Sequence, residues 1–301
     1  MITRRKLLSY GAAGATVLAV PKLALANMSL GNATLSTVSD GNLTLPGDFV
    51  TGNLPSEAVD IMKSYGLSTD QFTPECNVTL YRDGTNTVLF DVGSGPDFMP
   101  DAGMLLDSLD AADVSVDDVT HVVFTHAHPD HIWGLLDDFD DLVFPEASYH
   151  MGRAEWDYWW NPETVNTIGD ARATFAVGAK RRLEILEEQI NFFDDGDEIL
   201  SGLAAVATYG HTPGHMGFEL RNGSDSALIV GDAIGNHHVQ FHHPEWISGS
   251  DQDGEMGVAT RKMLMDRLAN EQMMIAGFHL PNGGMGRVEA KDGAYRFVPA
   301  S

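Results

Sequence analysis

Three imidazoles and a carboxylate fall within the six positions His126-Ala127-His128-Pro129-Asp130-His131. Imidazole and carboxylate suit zinc, manganese or iron, and this run offers more ligands than one tetrahedral ion takes from so short a segment. The implied chemistry is a two-metal site completed from later in the chain. His215 in Gly210-His211-Thr212-Pro213-Gly214-His215, Asp232 after Gly231 and His279 in Ala276-Gly277-Phe278-His279 are the candidates. A balanced distribution gives His126, His128 and His215 to one ion and Asp130, His131 and His279 to the other, with Asp232 bridging. Two divalent cations about 3.5–4 Å apart would share a hydroxide that attacks a carbonyl or phosphoryl centre. Zn2+ is expected, with Mn2+ or Fe2+ compatible with the same ligand types. Asp130 is also the candidate to pass a proton to the leaving group. Asp91, Thr125 and His211 are expected behind the ligands, Asp91 by accepting from the distal N–H of a ligand imidazole.

Each of these residues stands where an apolar run stops. Strands are expected at 77–82, 87–91, 121–124, 142–145, 148–150, 203–208, 216–220, 226–230, 273–277 and 294–298. Helices are expected at 55–65, 102–109, 153–160, 171–191 and 256–268, the fourth on the spacing of Phe175, Val177, Leu183, Ile185, Leu186 and Ile190. Hairpins, scattered helices and strands leading into histidine-rich loops imply an α+β fold of two sheets covered by helices on their outer faces. No linker or low-complexity stretch divides residues 27–301, which are read as one domain.

The first 26 residues read as a secretory signal: Arg4-Arg5-Lys6, an apolar small-residue run, then Ala24-Leu25-Ala26. The paired arginines point to the twin-arginine route and hence to a periplasmic or secreted protein exported folded. The whole chain carries 18 basic against 43 acidic residues, a net charge of −25. Nucleic-acid binding is thereby excluded as a leading reading, since a phosphate backbone wants a basic footprint. No later stretch is apolar and long enough to span a bilayer, so no membrane association is expected once the signal is removed. Cys76 is the single cysteine, which precludes an internal disulfide; it reads as a small buried residue.

The run His126 to His131, with His215, Asp232, His279 and the Asp91 segment, resembles the metallo-β-lactamase superfamily from Cys76 to His279. That resemblance implies an αβ/βα sandwich of four layers with two metals at one edge. Within the superfamily the chain is most similar to the methyl parathion hydrolase-like branch, at Gly210 to His215, Gly231-Asp232-Ala233-Ile234, Ala276-Gly277 and Gly284-Met285-Gly286. That branch implies the ligand distribution given above and hydrolysis of organophosphate triesters, lactones or aryl esters. Two departures narrow the range. True metallo-β-lactamases lack the bridging aspartate, which counts against β-lactam hydrolysis. Gly235 stands where quorum-quenching lactonases carry a tyrosine, which puts their lactone-binding mode in doubt.

Trp133, Trp156 and Trp159, with Phe98 and Met99 in the loop after Asp91, are the candidate pocket walls; Trp156 and Trp159 read equally well as core or dimer-contact residues. His237, His238, His242 and His243 are read as rim or interface positions. An aromatic pocket in an acidic protein favours a neutral, partly apolar ester. The expected function is an exported dinuclear metal-dependent hydrolase of neutral esters. The alternatives are a β-lactam hydrolase and an inactive metal-stabilised binding protein. A homodimer is compatible with the resemblance.

Overall fold

The computed structural model describes residues 26–300; the segment over residues 1–26, read from the sequence as a secretory signal, lies outside them except for its last residue. The first sheet opens with β1 (Asn27–Leu30) and β2 (Ala33–Asn42). A separate two-stranded ribbon follows, β3 (Leu45–Pro46) with β4 (Gln71–Phe72), and the first sheet resumes with β5 (Glu75–Arg82), β6 (Thr87–Phe90), β7 (His121–Phe124), β8 (Ser148–Gly152) and β9 (Ile190–Phe193). β1, β2, β5 and β6 pair antiparallel, and β6 to β9 pair parallel. The second sheet runs in chain order: β10 (Glu198–Leu200), β11 (Leu203–Ala207), β12 (Met216–Asn222), β13 (Asp225–Gly231), β14 (Met274–Gly277), β15 (Met285–Lys291) and β16 (Ala294–Pro299). Only β13 and β14 pair parallel within it.

Both sheets are mixed and are buried on both faces, so their central strands are continuously apolar rather than alternating. In β7, Val123 joins the core between the sheets, where it meets Phe90, Phe193 and Phe218. Val122 and Phe124 point the other way, into a core shared with the helices Leu105–Ala111, Pro129–Ile132 and Ala173–Leu186. In β13, Ala227 and Ile229 face the inter-sheet core, while Leu228 and Val230 meet Leu264, Met265 and Leu268 of the helix Gly254–Glu271. The result is the four-layer helix–sheet–sheet–helix sandwich, an α+β fold. Asp253 caps the last of these helices by accepting from Met256 N at 3.0 Å, which satisfies one of its free N–H groups.

Two sequence expectations need correcting, and strands appear that were not expected. The helix expected over 171–191 ends at Leu186, because Ile190 to Phe193 instead form β9 against β8 and bury Phe193 between the sheets. Residues 142–145 form no strand; Leu142 makes one isolated bridge to Leu136, and Phe144 O accepts from the Tyr149 hydroxyl. β15 went unforeseen, since Glu289, Ala290 and Lys291 are exposed and its apolar signal is confined to Met285 and Val288. Among the described residues no helix is long and apolar enough to cross a membrane.

Candidate metal centre

The loop leaving β7 carries His126, His128, Asp130 and His131, all buried, and it begins at Thr125. Asp91, just past β6, adopts φ 69°, a left-handed conformation that aspartate tolerates better than most residues. Its Oδ1 accepts from Thr125 N at 2.8 Å and its Oδ2 from Thr125 Oγ1 at 2.7 Å and His131 Nδ1 at 2.8 Å. Because Thr125 Oγ1 donates to Asp91, it is left as an acceptor for His126 Nδ1 at 3.0 Å. His279 Nδ1 in turn donates to Glu75 O at 2.8 Å. In all three rings Nδ1 is occupied by the protein, so Nε2 is the atom presented to the site.

Those nitrogens converge on carboxylates. His131 Nε2 lies 3.5 Å from Asp130 Oδ2 and 3.3 Å from Asp232 Oδ1; His279 Nε2 lies 3.2 Å from Asp130 Oδ2 and 3.3 Å from Asp232 Oδ2. Asp130, His131, Asp232 and His279 thus form one ligand group. His126 Nε2 and His211 Nε2 approach His128 Nδ1 at 3.0 and 2.9 Å, and these three rings form the second. Asp232 Oδ2, 3.4 Å from His211 Nε2, faces both groups and has the position of a bridge.

The third imidazole of the all-histidine group is therefore His211, not His215. His215 Nδ1 is bonded to Thr208 Oγ1 at 2.7 Å and its Nε2 accepts from Asp232 N at 3.0 Å. With both ring nitrogens engaged by the protein, it props Asp232 from behind. His211 Nδ1 faces Asp251 Oδ1 at 3.6 Å, which leaves Nε2 toward the site. In Gly210-His211-Thr212-Pro213-Gly214-His215 the two histidines are equally plausible by residue type, and only the path of the turn separates them.

The donor set fits two divalent cations. Asp130 Oδ2, His131 Nε2 and Asp232 Oδ1 are buried without hydrogen-bond partners, an arrangement that is costly unless a cation satisfies them. Burial and the neighbouring imidazoles hold His126 and His128 well below the usual imidazole range, hence neutral, the form that ligates. Burial alone would raise the carboxyls of Asp130 and Asp232, but the facing His131 and His279 outweigh it and keep both ionised.

A cavity of about 220 Å³ opens over these groups, with His128, Asp130, His211, Asp232 and His279 on its floor. Phe98 and Met99 line it as expected. Trp133, Trp156 and Trp159 do not. Trp156 is buried against Trp160 and Phe192, Trp159 is buried with its ring centroid 5.7 Å from that of His128, and Trp133 packs edge-on behind Phe98 at 5.3 Å. The walls come instead from Leu43, Leu45, Phe49, Val50, Phe72 and Phe175, with Arg172, Asn236 and Gln240 supplying polar groups. Residues 43–72 carry no chemistry-bearing motif, so composition gave no signal that they would reach the site.

The sequence pattern of the metallo-beta-lactamase superfamily matches residues 73–260. The chain belongs to that superfamily. Its fold is shared with AidC, a dizinc quorum-quenching lactonase solved with a product bound, at TM-score 0.86, 26% identity, 92% of this chain and 97% of that one. Hydrolase AbOPH of the beta-lactamase superfamily superposes at TM-score 0.85 with 25% identity, over 92% and 98% of the two chains. A probable metal-dependent hydrolase from Staphylococcus aureus shares the fold at TM-score 0.75 and 18% identity, over 91% and 100%. Among curated proteins, the uncharacterized protein YobT of Bacillus subtilis (strain 168) is 32% identical over 115 residues, 38% of this chain. The chain matches less than half, 46%, of that relative's length. The two ligand groups give this superfamily member a site fit for two divalent cations, the arrangement of a metal-dependent hydrolase.

Proposed function

We propose that the protein is an exported hydrolase of neutral esters with an apolar arm: lactones, aryl esters or phosphotriesters. One observation carries this reading: the two ligand groups form the floor of a cavity whose walls are mostly hydrocarbon and aromatic ring. His126, His128 and His211 would hold one cation and Asp130, His131 and His279 the other, with Asp232 between them. Two divalent cations, when bound, supply an acidified water and a Lewis acid that polarises the electrophile.

The chain's own residues do the rest. Phe72, Phe98, Met99 and Phe175 seat the apolar group and keep bulk water from it. Arg172, held by donating from Nη2 to Gly249 O and Ser250 O at 3.0 Å each, is the one basic side chain other than histidine on this cavity among the described residues. It offers a hydrogen-bond donor to a substrate carbonyl or phosphoryl oxygen. Asp130, ionised and on the cavity, is placed to pass a proton to the leaving oxygen.

The lactone part of the range is supported by the likeness to AidC, and the phosphotriester part by the resemblance to the methyl parathion hydrolase-like branch. Asp232 between the ligand groups favours either over a β-lactam. Export in folded form is supported by the basic start and the apolar run of residues 1–26. The test is a panel on zinc-loaded mature protein: a paraoxon-type triester, an aryl acetate, an acyl lactone and nitrocefin. Turnover of at least one of the first three, with nitrocefin inert, is expected. Turnover of nitrocefin alone, or of none, overturns the reading.

A further inference from the structure

Glu155 lies in the first turn of the helix Arg153–Trp160, where its side chain is fully buried. It touches no ligand atom. Its Oε1 accepts from Ala127 N at 2.9 Å and from the Trp159 indole N–H; its Oε2 accepts from Thr212 Oγ1 at 2.7 Å and Gly214 N at 3.1 Å. Ala127 sits between His126 and His128, and Thr212 follows His211. The four donors saturate an ionised carboxylate, and three of them are N–H groups that cannot act as acceptors. The fit is close: a Cβ at Gly214 would collide with the backbone of Ala154 and Glu155. Trp159, fixed by the same carboxylate, sets its ring edge-on to that of His128.

We propose that Glu155 is a positioning residue that ties the loop carrying His126 and His128 to the loop carrying His211, so that their three imidazoles meet at one cation. The other group is independent of it. His131 is oriented by Asp91 and His279 by Glu75 O, neither of which Glu155 contacts. Its loss therefore weakens one cation and spares its neighbour. This inference rests on the two-metal reading of the site.

The test titrates metal-free wild-type protein, Glu155→Gln and Glu155→Ala with Zn2+ against a chromophoric chelator, with circular dichroism to show that each variant is folded. Glu155→Gln keeps the size but turns an N–H2 group toward an N–H that needs an acceptor. Two equivalents are expected for the wild type. In the variants one equivalent should weaken by about 10–100-fold, the usual effect of removing a residue that orients ligands, and the other should stay put. A general loss of structure would weaken both alike, and that result, or two unchanged equivalents, overturns the proposal. Where Glu155→Ala does not fold, Thr212→Val, which deletes the 2.7 Å bond alone, should give a smaller loss in the same equivalent. A wild-type protein that binds no zinc overturns the two-metal reading itself, an outcome distinct from failure of the variants.

Discussion

The Asp91 carboxylate and the His131 imidazole are both fully buried and meet at 2.8 Å, Oδ2 to Nδ1. The contact fixes which nitrogen of His131 carries the proton and aims the other at Asp130 and Asp232. Asp91→Asn retains the shape but places an N–H2 group among three donors. Zinc affinity should fall about 10–100-fold, measured by chelator competition. Wild-type affinity in this variant would mean that Asp91 does no more than close a turn.

His211 and His215 invite opposite outcomes. His211→Ala should cost one zinc equivalent outright. His215→Ala should keep both equivalents detectable while lowering unfolding free energy by about 1–3 kcal/mol, since Thr208 Oγ1 and Asp232 N each lose a buried partner. Metal stoichiometry and urea melts on the two variants decide between them. The reverse pattern would return His215 to the ion.

The apolar wall should govern binding more than turnover. Phe72→Ala or Phe98→Ala is expected to raise KM about tenfold for an aryl or long acyl ester, with kcat nearly unchanged, because hydrophobic contact acts on ground and transition states alike. A short acetyl ester should be indifferent to the same change. A fall in kcat with KM constant would place these rings at the reacting centre instead.

His238 supplies a pH dependence away from the metals. It is buried between Phe72, Tyr65 and His237 with neither ring nitrogen bonded, and burial, reinforced by His237 and His242, pushes it down to about 3. Below the unfolded value of about 6.5 the unfolded chain takes up a proton that the folded chain refuses. Its contribution is thus complete above that pH and is lost as pH falls toward 3, with a slope of up to about 1.4 kcal/mol per pH unit. His238→Phe should flatten the stability profile between pH 6.5 and 4 in urea melts. An unaltered slope would show that His238 takes no part in acid unfolding.

What the sequence made legible followed from locality. His126 to His131 are neighbours in the chain, and Asp232 and His279 lie just beyond apolar runs, so type and position sufficed to propose the ligand groups and the two-sheet architecture. The choice between His211 and His215 depends on how a six-residue turn rotates each ring, which residue type does not encode. Ile190 matched the helical spacing of its neighbours, yet pairing with β8 overrode that local preference. The cavity walls depended on residues far apart in the chain, such as Phe49, Phe72 and Phe175, lining the same space. The tryptophans, chosen for proximity in sequence to the ligands, packed away from the cavity, Trp159 against His128 and Trp133 behind Phe98.

The ribbon of β3 and β4 encloses two short helices, and Ala58, Ile61 and Met62 among them form a small core of their own with Val239. This unit lends Phe49, Val50 and Phe72 to the cavity but no ligand to the cations. Part of the cavity wall and the candidate ligands thus come from different parts of the chain. Exchanging residues 47–72 for a segment of another shape would offer the same hydrolytic centre a different clientele, with the strands that carry the ligands left as they are.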